Sequence, residues 1–252
     1  MVVVLLLAAF EYAGWAAPAA EGLAGVSLQS WRLARSSPAQ AAVAPRFAGV
    51  AGYARPYGLT GIDCGRIALG GRVGAVGLAG GVQALHLAGY SESDFHVAVG
   101  TATRGFAVGT GLHVLLLVDP QTGAALAPAF DVGARWTGQR FAAGIDALRL
   151  NSPLLGGDEV PARLALSGCW QPVPQFAATA EVGRERGDED FAAACEFRPL
   201  AAVGVRAGVG VAPLRYAAGV GLAASRYGVD YCLELNPALG ATHSLEVSAR
   251  WQ

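Results

Sequence analysis

The chain has 252 residues, of which 51 are Ala and 35 are Gly, so about a third of its positions carry almost no side chain. Hydrophobic types make up 53% and charged types 15%, which excludes a disordered polar chain and is unusual for a water-soluble domain of this size. The 18 basic residues are all Arg and are offset by 19 acidic residues, so the net charge of -1 gives no general attraction for nucleic acid.

The first predicted element is an export signal. Residues Val2 to Phe10 are all apolar, and Ala17-Pro18-Ala19 has the small-x-small pattern that a signal peptidase accepts. The apolar stretch is shorter than the roughly 20 residues that a membrane-spanning helix needs. No Lys or Arg precedes it, which departs from the usual signal and leaves a buried N-terminal strand or helix as the alternative. We therefore predict a signal peptide over residues 1–19.

From Arg46 onward, apolar and polar residues alternate with a period of two, which is typical of strands with one oily and one wet face. The last segment shows this best, with Leu245, Val247, Ala249 and Trp251 alternating with Ser244, Glu246, Ser248 and Arg250. The preceding segment, residues 229–236, repeats the alternation, and Pro237 to Gly240 supply a turn. The two segments are therefore predicted to form a hairpin.

The same alternation predicts fourteen strands, at residues 46–57, 61–70, 74–87, 94–103, 106–118, 127–137, 139–150, 162–171, 174–186, 191–198, 201–212, 214–226, 229–236 and 241–251. The spacing allows about 15 residues per strand and turn, which suits the roughly 9 to 11 residues that a tilted strand needs to cross a membrane. We predict an all-β fold, a transmembrane antiparallel up-and-down β-barrel of about 14 strands over residues 46–252. Residues 20–45 are predicted to tuck into the lumen as a partial plug.

The predicted connections differ between the two ends of the barrel. Those after even-numbered strands are short, whereas those after odd-numbered strands include Asp119 to Leu126, Asn151 to Pro161 and Arg186 to Phe191. Short turns at one rim and longer polar loops at the other are typical of outer-membrane barrels, where they are periplasmic and extracellular respectively. A soluble sandwich has no reason to keep that parity.

Aromatic residues fall at two heights of the predicted barrel, with Val, Leu, Ala and Gly between them. The membrane girdle near the short-turn rim consists of Phe47, Phe106, Trp136, Phe141, Trp170, Phe176, Phe197, Tyr231 and Trp251. A second set near the long-loop rim consists of Tyr57, Tyr90, Phe95, Phe130, Phe191 and Tyr216. Aromatic rings favour the membrane interface, so the two sets indicate the thickness of the lipid. The alternative is that aromatic residues simply favour strand ends.

Charged residues fall on the faces that are predicted to point inward. The predicted lumen-facing set is Asp131, Arg135, Arg140, Asp146, Arg163, Glu181, Glu196, Arg206, Arg215, Asp230, Glu234 and Glu246. The mixed signs favour cross-strand ion pairs in a wet or partly plugged lumen over a selectivity ring of one sign. Glu234 and Glu246 are expected to stand side by side, as a solvated lining or as a cation or proton site.

An α-helical membrane protein is the alternative fold, because Val73 to Ser91 has no formal charge over 19 residues. Its five glycines, and the Arg residues that interrupt the other apolar runs, argue against a helix. The cysteines lack the paired spacing of a zinc site or redox dithiol; they are Cys64, Cys169, Cys195 and Cys232. The histidines stand alone in the predicted strands; they are His86, His96, His113 and His243. We predict no metal site, no cofactor and no enzyme, since Ser91 also lacks the second glycine of a nucleophile elbow.

Two stretches carry a family resemblance. The first is Ser37-Pro38-Ala39-Gln40-Ala41 followed by Gly52-Tyr53-Ala54-Arg55-Pro56-Tyr57-Gly58-Leu59, and the second is Asp230-Tyr231-Cys232-Leu233-Glu234-Leu235 followed by Leu239-Gly240-Ala241-Thr242-His243-Ser244-Leu245. Together they resemble PorV/PorQ-type outer-membrane β-barrel proteins, which are related to FadL-type channels. The resemblance implies a fourteen-stranded barrel with its N-terminal segment in the lumen. It also implies roles in the passage of hydrophobic molecules or in protein secretion.

The predicted location is the outer membrane of a Gram-negative-type bacterium, with membrane lipid as a partner and no nucleic acid. The first functional hypothesis is porin-like transport, the passive passage of small or hydrophobic solutes. The alternative is a structural or docking platform of an outer-membrane secretion or surface complex, in which the loops Asn151 to Pro161 and Arg186 to Phe191 contact secretion-system proteins. A third hypothesis, a lipid hydrolase, would need Ser, His and an acid converging on one rim.

Overall fold

The computed structural model describes residues 37–44 and 46–251. The predicted signal peptide, residues 1–19, and the first part of the predicted plug, residues 20–36, lie outside the described residues. The described part of the chain is almost entirely strand, with two short 3-10 helices, Pro38–Val43 and Pro56–Gly58. No helix within these residues is long and apolar enough to cross a membrane.

Fourteen strands close into one antiparallel barrel, which confirms the predicted fold. In chain order the strands are β1 (Phe47–Arg55), β2 (Ile62–Val73), β3 (Val76–Leu87), β4 (Tyr90–Thr103), β5 (Phe106–Asp119), β6 (Gly123–Thr137), β7 (Phe141–Leu148), β8 (Leu154–Leu155), β9 (Asp158–Glu159), β10 (Arg163–Val173), β11 (Phe176–Glu185), β12 (Asp188–Leu200), β13 (Val203–Val211), β14 (Arg215–Ala224), β15 (Tyr227–Asn236) and β16 (Gly240–Trp251). Sequential strands are neighbours, except that β8 and β9 form a separate hairpin and β7 pairs directly with β10. Residues 73–91, the alternative membrane helix, therefore fold as β3 and the ends of its two neighbours.

The barrel closes where the first strand meets the last. β1 pairs with β16 from Phe47 opposite Trp251 to Arg55 opposite His243. Closure gives the backbone N–H and C=O groups of both terminal strands a partner. In hydrocarbon this is a requirement, because an unpaired sheet edge there costs several kcal/mol per group.

The period-two pattern places one face of each strand outside and the other inside, because successive side chains on a strand point in opposite directions. Strand β5 illustrates this: Val108 is 53% exposed on the outer face, whereas Ala107 is 5% exposed on the inner face. The outer face is an apolar belt whose most exposed members include Ile67, Leu78, Val97, Leu166 and Leu222. Polar exceptions on the outer face include Arg55, whose Nε lies 3.5 Å from Asp63 Oδ1 near the end of β1.

The connections match the prediction at one rim of the barrel and are shorter than predicted at the other. At the turn rim, where β1 begins and β16 ends, the connections have two or three residues, as predicted. Arg104 and Gly105 form such a turn with φ angles of 47° and 85°, the left-handed conformation that tight hairpins require. At the opposite, loop rim, the predicted loop over residues 186–191 is wrong. The connection is residues 186–187 alone, because β12 already begins at Asp188.

The predicted loop over residues 119–126 is likewise reduced to residues 120–122, because β6 begins at Gly123. β5 and β6 therefore form a tall hairpin, and β6 extends well beyond its neighbour β7, with which it pairs only from Val132 to Thr137. The long connection between β7 and β10, residues 149–162, fills the space beside the upper part of β6 and contains the β8–β9 hairpin.

Candidate luminal site

The structure places most of the predicted charged residues on the inner face of the barrel wall. The buried members are Asp131, Asp146, Arg163, Glu196, Arg206, Arg215 and Glu246, and the partly buried members are Arg135, Glu181, Asp230 and Glu234. Arg140 is the exception. It lies exposed in the turn before Phe141, because β7 begins later than the sequence pattern suggested, so it is not part of the luminal wall.

The largest ion-pair cluster is centred on Arg206 of β13. Arg206 lies directly opposite Glu196 of β12, and its Nε donates to Glu196 Oε2 at 3.3 Å. Its Nη1 donates to Asp230 on β15, and Glu196 also accepts a hydrogen bond from Arg198. The cluster joins charges from three strands, so no single strand pattern reveals it.

A second cluster surrounds Arg163 of β10. Its Nη2 lies 2.8 Å from Glu181 Oε1 and 3.0 Å from Asp190 Oδ1, which joins β10, β11 and β12. Arg149, just after β7, lies 2.7 Å from Glu185 beside the same cluster. These pairs agree with the expected mixed-sign lining, in which opposite charges neutralise each other within the wall.

Glycines make room for these arginines. A Cβ at Gly183 would lie 2.3 Å from Arg163 Nη2, and a Cβ at Gly221 would lie 2.8 Å from Arg206 Nη2. The same arrangement holds at Gly52 beside Arg66 and at Gly210 beside Arg215. Each of these arginine side chains therefore occupies space beside a neighbouring strand where a glycine leaves no side chain, which gives the high glycine content a structural role.

The expected side-by-side pair of Glu234 and Glu246 is wrong. The β15–β16 hairpin closes with Asn236 opposite Gly240, a register that places Glu234 opposite Thr242. Glu246 lies elsewhere in the wall and forms an ion pair with Arg66 of β2. Glu234 lies 3.9 Å from Arg215. The two acids belong to separate ion pairs, so the proposed two-carboxylate site does not form.

A histidine cluster is the main luminal feature that sequence reasoning missed. His113 of β5 lies between two carboxylates, with Nδ1 2.8 Å from Asp94 Oδ1 and Nε2 2.8 Å from Asp131 Oδ2. His96, opposite it on β4, stacks on the His113 ring with centroids 5.6 Å apart. Two carboxylate partners match an imidazolium, which donates from both nitrogens. Asp131 Oδ1 also accepts the backbone N–H of Arg149 at 2.7 Å, so the cluster reaches the start of the long loop.

The expectation that all histidines stand alone is therefore wrong for this pair. A signal was present in the sequence, since His96 and His113 are equally distant from the turn at residues 104–105. A hairpin closed at that turn places them opposite each other. Among the described residues, no group of three or more His, Cys, Asp or Glu side chains is arranged to hold a metal ion.

Residues 37–44, here called the lumen segment, lie inside the barrel. Its residues from Pro38 to Ala42 are all buried, and they pack on the inner faces of β3 to β6. The segment lies on a row of directly paired glycines, one from each of these strands: Gly77, Gly100, Gly109 and Gly133. A side chain at Gly77, Gly100 or Gly109 would come into contact with the backbone of the segment, and a Cβ at Gly133 would lie 3.2 Å from the Pro38 Cδ atom. The wall is thus shaped for the segment.

Apolar side chains line the inner face toward the loop rim. Ala54, Ile62, Cys64 and Leu85 form one cluster there, against which Tyr57 and Tyr90 pack. Those two tyrosines, predicted in the upper aromatic set, therefore do not belong to the outer belt. Tyr90 shares the inward parity of Glu92 and donates a hydrogen bond to it.

The outer aromatic rings lie mostly where a girdle was predicted. Phe47 and Trp251 are in contact with ring centroids 5.3 Å apart, and Trp170 contacts both Phe141 and Phe176 near the turn rim. Phe106, Trp136 and Phe197 are also exposed on the outer face, as are Phe95, Phe130, Phe191 and Tyr216 of the upper set. Tyr231 is misplaced in the prediction. It lies near the middle of β15, because that strand begins at Tyr227, and its hydroxyl pairs with His243 Nδ1 at 2.7 Å.

Comparisons with known proteins agree with the fold. The chain is similar to a solved structure named the CymD monoaromatic hydrocarbon channel, with a TM-score of 0.71, 12% identity, and coverage of 93% of this chain and 97% of that one. It is also similar to the Pseudomonas putida toluene transporter TodX, with a TM-score of 0.60, 10% identity, and coverage of 86% and 91%. No family model and no curated protein sequence matches the chain. At these identities the likeness concerns the fold alone, which is that of an outer-membrane β-barrel.

Proposed function

We propose that the chain is an outer-membrane channel through which small or hydrophobic solutes pass by diffusion, without covalent chemistry. The observation that carries the proposal is the difference between the outer and inner faces of the barrel wall. An apolar outer belt suits lipid, and a closed wall encloses paired charges and an apolar upper lining. A soluble protein gains nothing from that arrangement, whereas a channel needs it.

Hydrophobic solutes are the favoured class for two reasons. The inner face toward the loop rim is built from apolar residues, with Ile62 and Leu85 in one cluster and Leu115 in another, so the wall at that mouth is compatible with an apolar solute. The two named structural neighbours are a monoaromatic hydrocarbon channel and a toluene transporter. We also propose that residues 20–45 act as a partial plug, with the lumen segment on its glycine row as the part that narrows the passage.

A docking platform of the PorV/PorQ type is the second candidate. It is favoured by Leu154, which is 69% exposed at the start of the β8–β9 hairpin, where a partner protein has an apolar side chain to contact. The turn at residues 186–187 offers a partner far less surface than the loop expected there.

Reconstitution tests the channel proposal. Purified protein that shows heat-modifiable migration on a detergent gel is placed in liposomes, and swelling is followed with uncharged solutes of graded size. We expect swelling that falls as solute size increases, and discrete conductance steps in planar bilayers. A folded barrel that passes neither solute nor ions would contradict the channel, and retention of a secretion-system protein that depends on residues 153–161 would favour the platform.

A further inference from the structure

The long connection at the loop rim folds inward. Leu155 and Val160 are 3% and 6% exposed, and they pack against Leu115 of β5 and Ala127 and Ala129 of β6. These three partners have the same parity as the luminal His113 and Asp131, so the loop lies against the inner face of the β5–β6 hairpin.

The start of the connection is hydrogen-bonded to the backbone of β6 in the manner of a paired strand. The Asn151 side-chain amide donates to the Pro128 carbonyl at 2.8 Å and accepts from the Phe130 N–H at 3.2 Å. Leu150 N–H donates to the Phe130 carbonyl at 2.8 Å. These bonds continue the ladder along β6 where β7 has ended, and Pro128 has no N–H that needs a partner there. Residues 149–152 thus form a firm root.

The far side of the connection reaches the β11–β12 turn. The Arg186 guanidinium donates to the Glu159 carbonyl, and both groups are exposed to solvent. The part of the connection beyond the root, residues 154–160, is here called the tip. It turns through Gly156 and Gly157, whose φ angles are 63° and 99°. The tip therefore lies against the inner face of β5 and β6 at the loop rim, where Leu155 and Val160 pack, and the exposed hydrogen bond from Arg186 joins it to the β11–β12 turn. The Arg149 Nε donates to the Pro161 carbonyl at 2.9 Å, just beyond the tip.

We propose that residues 149–162 form a mouth lid whose tip lifts from Leu115, Ala127 and Ala129 to admit solute, while its root stays fixed to β6. This inference rests on the proposed channel function and adds its regulation. The contrast between root and tip supports it. A static piece of wall would continue the ladder along its whole length, whereas here the ladder stops at Asn151 and the tip is attached by side chains that can separate without breaking strand pairing.

A reversible cross-link tests the lid. In a variant with the four native cysteines replaced by Ala, Leu155→Cys and Ala127→Cys are joined by a short bis-methanethiosulfonate reagent and later released with reductant. We expect liposome swelling to fall at least fivefold on cross-linking and to recover on reduction. The matched control, Ser152→Cys with Ala162→Cys, joins the root to the last residue of the connection, where the Ser152 hydroxyl and the Ala162 N–H lie 3.2 Å apart, and its swelling rate should not change.

The outcomes separate the two proposals. Unchanged swelling when the tip is cross-linked, with swelling intact in the parent protein, would overturn the lid and leave the channel standing. A second variant, in which Gly-Gly replaces residues 153–161, should pass solute faster than the parent. If this lidless barrel and the reduced double-cysteine variant both fold by the gel-shift criterion and neither passes solute, the channel proposal fails and the lid fails with it.

Discussion

A single methyl group on the glycine row should displace the lumen segment. A Cβ at Gly77 would lie 1.8 Å from the Ala41 carbonyl oxygen, and a Cβ at Gly109 would lie 2.4 Å from the Pro38 carbonyl oxygen. Real Cβ atoms essentially never approach closer than 3.0 Å. Both obstructed atoms belong to backbone, which cannot rotate away, so in Gly77→Ala the segment has to move by more than an ångström or leave the wall.

The cost follows from overpacking, which typically destabilises by about 1–3 kcal/mol. About 1.4 kcal/mol is a factor of ten in an equilibrium constant. The ratio of molecules with the lumen segment bound to the glycine row to those with it released should therefore fall roughly 5- to 150-fold. The fall should be detected at Gln40, which is 1% exposed in the segment. In a background without native cysteines, Gln40→Cys should react with a water-soluble maleimide much faster when Gly77→Ala is present, and solute should pass faster.

Gly168→Ala is the matched control, because nothing lies within 4 Å of a Cβ at that position. It should change neither maleimide labelling nor swelling, and all variants should keep the heat-modifiable migration of a closed barrel. Equal labelling rates in Gly77→Ala and the parent protein would refute the conclusion that the glycine row is shaped by the segment.

Three further substitutions test the wall. Arg206→Met should lower the free energy of unfolding in urea by about 3–5 kcal/mol because Glu196 loses a buried partner, whereas replacing the whole cluster by neutral residues should recover much of the loss; an unchanged midpoint would contradict the cluster. His113→Phe should cost a similar amount, about 3–5 kcal/mol, whereas His243→Phe on the outer face should cost far less, and equal losses would count against the histidine cluster. Leu112→Arg should cost about 2–4 kcal/mol in a lipid bilayer and Leu112→Met little, and a tolerated arginine would show that this position does not face lipid.

The sequence predicted the barrel well because its strongest constraint is local. A strand with lipid on one side and a polar lumen on the other must alternate apolar and polar residues along its length. The two faces of residues 244–251 can therefore be assigned from that segment alone, without knowledge of the strands beside it. The β8–β9 hairpin was missed for the same reason, because two-residue strands such as Leu154–Leu155 are too short to show a period.

Contacts between strands were harder to predict, because they depend on hairpin register. The closing pair of Asn236 and Gly240 is enough to separate Glu234 from Glu246. The glycine row is still less visible, since Gly77 and Gly109 come from different strands and resemble ordinary flexible positions until the lumen segment is seen upon them. Local patterning thus determined the faces, and only the closed barrel shows which residues meet across them.

Alternating accessibility along β5 is the most direct test that the outer face of the barrel lies in lipid. Single cysteines are placed from Phe106 to Val118 in a background without native cysteines, labelled with an environment-sensitive fluorophore in liposomes, and quenched in turn by a lipid-soluble and a water-soluble agent. We expect even-numbered positions, such as Val108 and Leu112, to be quenched by the lipid-soluble agent, and odd-numbered positions near Gly111 not to be. Quenching without a period of two, or from lipid at the odd-numbered positions, would contradict a barrel with its apolar face in the membrane and its charges inside.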